Sequence, residues 1–213
     1  MTQKLLIYDT TLRDGEQAPG FEMDASSKII MAKQLIKLGV DIIEAGFPAA
    51  SKDDFYAVQK ISEISNNTHI SVLCRSIEKD IEKGFLAVKH AALPILHVFI
   101  PSSDIQIRYQ MKASKKDILL QAISSIEYAK SFGCPVQFSA MDATRADIEF
   151  LLELYGAAIE SGACAINISD TTGYILPKEV TTLVSRIKNT VIKKSDVVLS
   201  IHCHNDLGLA TAN

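Results

Sequence analysis

The feature that most limits the fold of this chain is its alternation of short apolar runs with longer amphipathic ones. Lys4–Asp9 (KLLIYD) has the composition of a strand. Ile29, Ile30, Ala32, Lys33, Leu35 and Ile36 then recur at helical spacing, between Asp24 as N-cap and Gly39 as stop. Further strands are predicted at Asp41–Gly46, His69–Leu73, Pro94–Ile100, Pro135–Ser139, Cys164–Ser169 and Val197–His202. Further helices are predicted over Lys52–Ile64, Glu78–Ala91, Lys115–Phe132, Arg145–Ser161 and Pro177–Thr190. Strict alternation of this kind demands parallel strands with helical crossovers, because a parallel pair cannot be closed by a tight turn.

Polar residues gather just after each strand: DTTLRDGEQ, EAGFP, CRS, PSSD, SAMDATR, SDTTGY and HCHND. A doubly wound sheet would concentrate such residues at one switch point, whereas a barrel places its chemistry at every strand end. No GxGxxG follows the first strand. The pattern therefore predicts a (β/α)8 TIM barrel, truncated after the seventh strand, with residues 1–213 forming one incomplete catalytic domain. An eighth strand would be needed to cover the edges of the first and the seventh, so the chain alone is expected to be poorly stable.

Composition narrows the function. Hydrophobic residues make up 47% of the chain and the formal net charge is −3, without a basic run or a basic-aromatic patch. A globular protein without a nucleic-acid partner is expected. Met1–Asp9 does not resemble a signal peptide and no apolar run is long enough for a bilayer, so a cytoplasmic, non-membrane protein is expected. Cys74, Cys134, Cys164 and Cys203 form no CxxC pair, and three lie in apolar segments, as expected of reduced, buried thiols.

His202 and His204 share parity, so an extended backbone points both to one face, with Cys203 on the other. Two imidazoles so placed can chelate a divalent metal, although taken alone they fit a hydrogen-bonded pair better. Arg13 and Asp14 follow the first strand. In a closed barrel that strand lies near the seventh, so Asp14 becomes a candidate oxygen ligand beside the two histidines. The alternative, a surface ion pair between Arg13 and Asp14, is disfavoured because adjacent residues seldom pair side by side. Glu44, inside an apolar strand, needs a cation, and Arg13 is the candidate.

YDTTLRDGEQAPG, SDTTGY and HCHNDLGLATAN, in this order and spacing, resemble the 2-isopropylmalate synthases. These belong to a superfamily with homocitrate and citramalate synthases and 3-hydroxy-3-methylglutaryl-CoA lyase. The resemblance implies Asp14, His202 and His204 as ligands of a divalent metal (Mn2+, Mg2+ or Zn2+). It implies Arg13 as the catalytic group that stabilises the oxyanion, and Arg13, Gln17, His97, Ser139 and Thr171 as substrate-binding residues. It implies acetyl-CoA and a 2-oxo acid as substrates, a Claisen condensation that releases CoA, a role in leucine biosynthesis and a homodimer for the full-length protein. Phe47 and Pro48 would supply an apolar wall suited to the branched side chain of 2-oxoisovalerate. The family continues with a segment that grips acetyl-CoA, a linker and a regulatory domain, and these are absent from this sequence.

Two positions depart from the pattern. Met141 stands where many members carry a catalytic glutamate, and Gln106 where histidine is common. Asp142 faces away from the site in regular backbone and can replace the glutamate only if the strand ends or bulges there. Ordinary strand-end capping accounts for Ser139 and Thr171 equally well. Besides the acyltransferase reading, two others follow: a fragment that binds metal and 2-oxo acid without turnover, and a synthase or lyase acting on another 2-oxo acid.

Overall fold

A computed structural model describes residues 4–192 and 196–213. The reading of Met1–Asp9 rests partly on residues 1–3, which lie outside the described ones. The strands run in chain order through one sheet, β1 Tyr8–Asp9, β2 Ile42–Glu44, β3 His69–Arg75, β4 Pro94–Pro101, β5 Val136–Met141, β6 Ala165–Asp170 and β7 Val198–Cys203. Helices separate them: α1 Ala25–Leu38, α2 Lys52–Ile64, α3 Glu78–Val88, α4 Lys115–Ser131, α5 Ile148–Glu160 and α6 Pro177–Ile187. This parallel order, each strand followed by its crossover, is that of a (β/α) barrel taken through its seventh strand. The chain divides into two compact units, Met1–His97 with Phe132–Pro135 and Val98–Ser131 with Val136–Asn213.

In the first unit β1, β2 and β3 pair in parallel, with Tyr8 opposite Ile42 and Ile43 opposite Ile70. Ile43, Ile61, Ile70 and Val72 have no exposed surface and form its core. β1 is shorter than the predicted Lys4–Asp9. The Asp41 carboxylate accepts from the Ile7 N–H at 2.9 Å and from Lys4 Nζ at 2.8 Å, so side-chain bonds replace the ladder there. Asp24 caps α1, accepting from the Ser27 N–H at 2.7 Å, and Gly39 ends it at φ 84°, where an L side chain would be strained. The buried stripe of α1 is Ala25, Lys28, Ala32 and Leu35, while Ile30 and Lys33 face solvent. The predicted spacing was therefore helical, but its buried face lies one step round.

In the second unit β5, β6 and β7 pair in parallel, with Ser139 opposite Asn167 and Ser169 opposite His202. The Tyr155 hydroxyl donates to the Asn167 carbonyl at 2.7 Å, and its ring meets Phe138 edge-on. A short helix, Asp104–Gln106, and a π turn, Ile107–Met111, follow β4 and were not predicted, because elements of one turn have no periodicity to detect. No cysteine is in a disulfide; Cys74 is buried, but Cys134 and Cys203 are half-buried and Cys164 is exposed, so burial was overestimated. Among the described residues no helix is long and apolar enough to cross a membrane.

The cap of α1 gives a direct test. Asp24→Ala leaves the Ser27 N–H without its side-chain acceptor and is expected to lower unfolding free energy by about 1 kcal/mol in urea titration.

Candidate active site

In the first unit the polar groups after β1 close on a single carboxylate. Glu44 ends β2 with no exposed surface. Its Oε2 accepts from Arg13 Nε at 2.6 Å, and its Oε1 lies 2.5 Å from His97 Nδ1 and 2.9 Å from the Tyr8 hydroxyl. Tyr8 has one proton to give. It donates to the carboxylate and accepts from the Ser71 hydroxyl, 2.7 Å away. His97 Nδ1, facing an ionised carboxylate, carries the ring's donated proton. Burial alone would raise the Glu44 carboxyl, but the Arg13 and His97 charges and hydrogen bonds outweigh it and hold it at about 2. Burial and the Glu44 charge push the Tyr8 hydroxyl well above its usual range.

The expected Arg13–Glu44 contact is present, but the reading that set aside an Arg13–Asp14 pair is overturned. Arg13 Nη1 donates to Asp14 Oδ1 at 2.7 Å. The backbone allows it because the N–H groups of Arg13, Asp14 and Gly15 all turn back onto the Thr10 carbonyl, forming a tight loop. The two side chains are also more than four-fifths buried, so this is not an exposed surface pair. Gln17 lies in the short 3-10 turn Gly15–Gln17 and is exposed.

The second unit carries the two histidines. His202 lies in β7 and His204 one residue beyond it, with ring centroids 5.1 Å apart, so they occupy the same side as parity required. Ser139 is buried and accepts from Asn167 Nδ2 at 2.8 Å. The Thr171 hydroxyl accepts from the Asp142 N–H at 2.8 Å, joining the ends of β5 and β6. The β5 strand ends at Met141 and Asp142 takes up φ 63°. Its carboxylate is fully buried and engaged, accepting from Ser103 Oγ at 2.5 Å and from Arg145 Nε and Nη2 at 2.8 and 2.6 Å. The strand thus ends where replacement of a catalytic glutamate required it to, but the Asp142 carboxylate is engaged by Ser103 and Arg145. Gln106 buries an amide oxygen that has no hydrogen-bond partner among the described residues.

Two features escaped the sequence reading. Asp170 is buried with one oxygen taken by Thr144 at 3.0 Å and the other unpartnered. Lys28, on the core face of α1, is buried between Glu16 and Asp54. A lysine on the stripe of Ala25, Ala32 and Leu35 is a signal that helical spacing alone could have given.

Parallel strands that deliver arginine, carboxylate and imidazole groups at their carboxyl ends define a barrel enzyme class. The chain belongs to the HMGL-like family, whose profile matches residues 4–213. A 2-isopropylmalate synthase of Dictyoglomus turgidum is 48% identical over 210 residues, 99% of this chain and 42% of that protein. The Arabidopsis thaliana protein named 2-isopropylmalate synthase 2, chloroplastic, is 48% identical over 97% of this chain and 34% of its own length. The chain thus spans less than half of these relatives. The Bacillus subtilis HMG-CoA lyase structure superposes with a TM-score of 0.84 at 20% identity, over 100% of this chain and 72% of that one. An Acinetobacter baumannii HMG-CoA lyase, solved in complex with coenzyme A and 3-methylmalate, gives 0.82 at 21% identity, again over 100% and 72%.

The Glu44 carboxyl ionises at about 2 in the fold and near 4.5 when unperturbed. Its contribution to stability is therefore complete above about pH 4.5 and lost as pH falls toward 2, on the order of 3 kcal/mol in all. Urea unfolding of Glu44→Gln across pH 5 to 2 is expected to show a shallower acid loss than the parent.

Proposed function

We propose that residues 1–213 form the catalytic barrel portion of a 2-isopropylmalate synthase. The reaction joins acetyl-CoA to 2-oxoisovalerate, with loss of a methyl proton, attack on the ketone carbon and hydrolytic release of CoA, as a step of leucine biosynthesis. The observation that carries this reading is the Arg13 guanidinium, locked by buried Glu44 and turned onto Asp14. The names of relatives 48% identical over nearly the whole chain support the choice of reaction.

Asp14, His202 and His204 would hold a divalent cation, Mn2+, Mg2+ or Zn2+. A carboxylate and two imidazoles suit such an ion and leave positions open for a chelating 2-oxo acid. The ion would polarise the ketone and offset the charge that develops on its oxygen. Arg13 cannot lose its proton, so its part is electrostatic, with N–H groups beyond those given to Glu44 and Asp14 facing the oxyanion. Gln17, His97, Ser139 and Thr171 contact substrate in this reading. In this reading the His97 ring is oriented by the contact of its Nδ1 with Glu44. Phe47 and Pro48 form the apolar wall for the isopropyl group. The whole protein acts in the cytoplasm as a homodimer.

The test is thiol release from acetyl-CoA by the protein as its gene encodes it, across 2-oxo acids and with Mg2+, Mn2+ or Zn2+ added. 2-Oxoisovalerate is expected to be preferred, and chelator to abolish release. Binding of the acid without CoA release would leave only a binding module, and cleavage of a 3-hydroxyacyl-CoA would make it a lyase. Asp14→Ala or His204→Ala is expected to weaken metal affinity at least tenfold by calorimetry; unchanged affinity would refute the ligand set.

A further inference from the structure

Lys28 is only 3% exposed, yet it carries a charge into the first unit's interior. Its ammonium donates to Glu16 Oε1 at 2.6 Å and to the Asp54 carboxylate. Asp54 is held in turn at the first turn of α2, its N–H donating to the Ser51 hydroxyl at 2.9 Å. The other Asp54 oxygen accepts the Phe47 N–H at 2.5 Å. The carboxylate packs so closely on the β2 turn that a Cβ at Gly46, itself at φ 156°, would stand 2.7 Å from Asp54 Oδ1. Removing a lysine from water is costly, and apolar replacement of a buried ion pair is often neutral for stability. Stability is therefore a weak reason for this arrangement, and its geometry offers a better one.

Glu16 sits in the short turn that follows Arg13 and Asp14, and Phe47 in the turn that follows Glu44. We infer that Lys28 is a positioning residue that fixes the Arg13–Asp14 loop against the Phe47 turn, and thereby sets which 2-oxo acid side chain the site accepts. This rests on the proposed condensation of a 2-oxo acid. Phe47 needs such support because its ring is half-buried and its outer face meets the Arg75 guanidinium, 5.7 Å away. With its N–H tethered, the backbone that carries the ring is held in place. The loop that carries Arg13 and Asp14 is tied to the same ammonium through Glu16, so reacting end and side-chain end of the substrate keep one spacing.

The test compares affinities for 2-oxoisovalerate and pyruvate by calorimetry, in the protein as its gene encodes it with Mn2+ present. The parent is expected to favour 2-oxoisovalerate by about tenfold or more. Lys28→Met is expected to reduce that ratio at least fivefold, chiefly by weakening 2-oxoisovalerate, and Lys28→Arg to restore part of it. Glu16→Gln, at a partly exposed position, cuts only one arm and is expected to move the ratio the same way by a smaller amount. It decides the matter should Lys28→Met fail to fold. A parent that discriminates, with variants that melt lower but keep its ratio, would overturn this inference alone. A parent that binds neither acid would overturn the proposed reaction and this inference with it.

Discussion

The first unit is organised around one ionised carboxylate without access to water. Burying a charge is tolerated only when donors replace the water it loses, and Glu44 has three, from Arg13, His97 and Tyr8. Those donors come from the loop after β1, from β4 and from β1 itself. Tyr8 extends the set to Ser71 on β3. Directly and through Tyr8, one side chain thereby links β2 to β1, β3 and β4. It also fixes the plane of the Arg13 guanidinium. Arg13 spends Nε on Glu44 and Nη1 on Asp14, so the direction of its other donors follows from the position of Glu44. Arg13 and Asp14 thus belong to one network with Glu44.

Much of this was legible in the sequence because each signal was either periodic or costly. The alternation of elements gave the barrel topology, and α2 has the bounds its periodicity predicted, with Ser51 capping its start. Glu44 was legible because a carboxylate in an apolar strand has to be neutralised. His202 and His204 were placed on one face by parity alone, and their rings lie 5.1 Å apart. What escaped was set by local hydrogen bonding without a period. Asp41 takes the Ile7 N–H and shortens β1, while three amides turning onto the Thr10 carbonyl bring Arg13 and Asp14 side by side. Neither effect has a spacing rule that a sequence displays.

Lys28 belongs to a different category. Its position on the core stripe of α1 was visible, but its partners were not, since Glu16 and Asp54 lie 12 residues before and 26 after it. A charged residue on a buried helical face announces that partners exist, and only the packing of α1 on its neighbours identifies them. Asp54 shows how much one carboxylate can do when helix geometry presents it: it accepts from the lysine and from a strand-end amide, while its own N–H satisfies the cap.

The end of β5 sets the physical meaning of Met141. Asp142 follows it at a positive φ that few non-glycine residues adopt, and that conformation turns its carboxylate toward Ser103 and Arg145. Three donors saturate the carboxylate, and its N–H is taken by Thr171, so Asp142 is committed to joining the strand ends. A thioether next to it brings neither charge nor proton. The residues that the sequence singled out near the ends of β5, β6 and β7 carry hydroxyls and imidazoles instead: Ser139, Thr171, His202 and His204. Neither position 141 nor position 142 therefore offers an unengaged carboxylate, because Met141 has none and that of Asp142 is bound by Ser103 and Arg145.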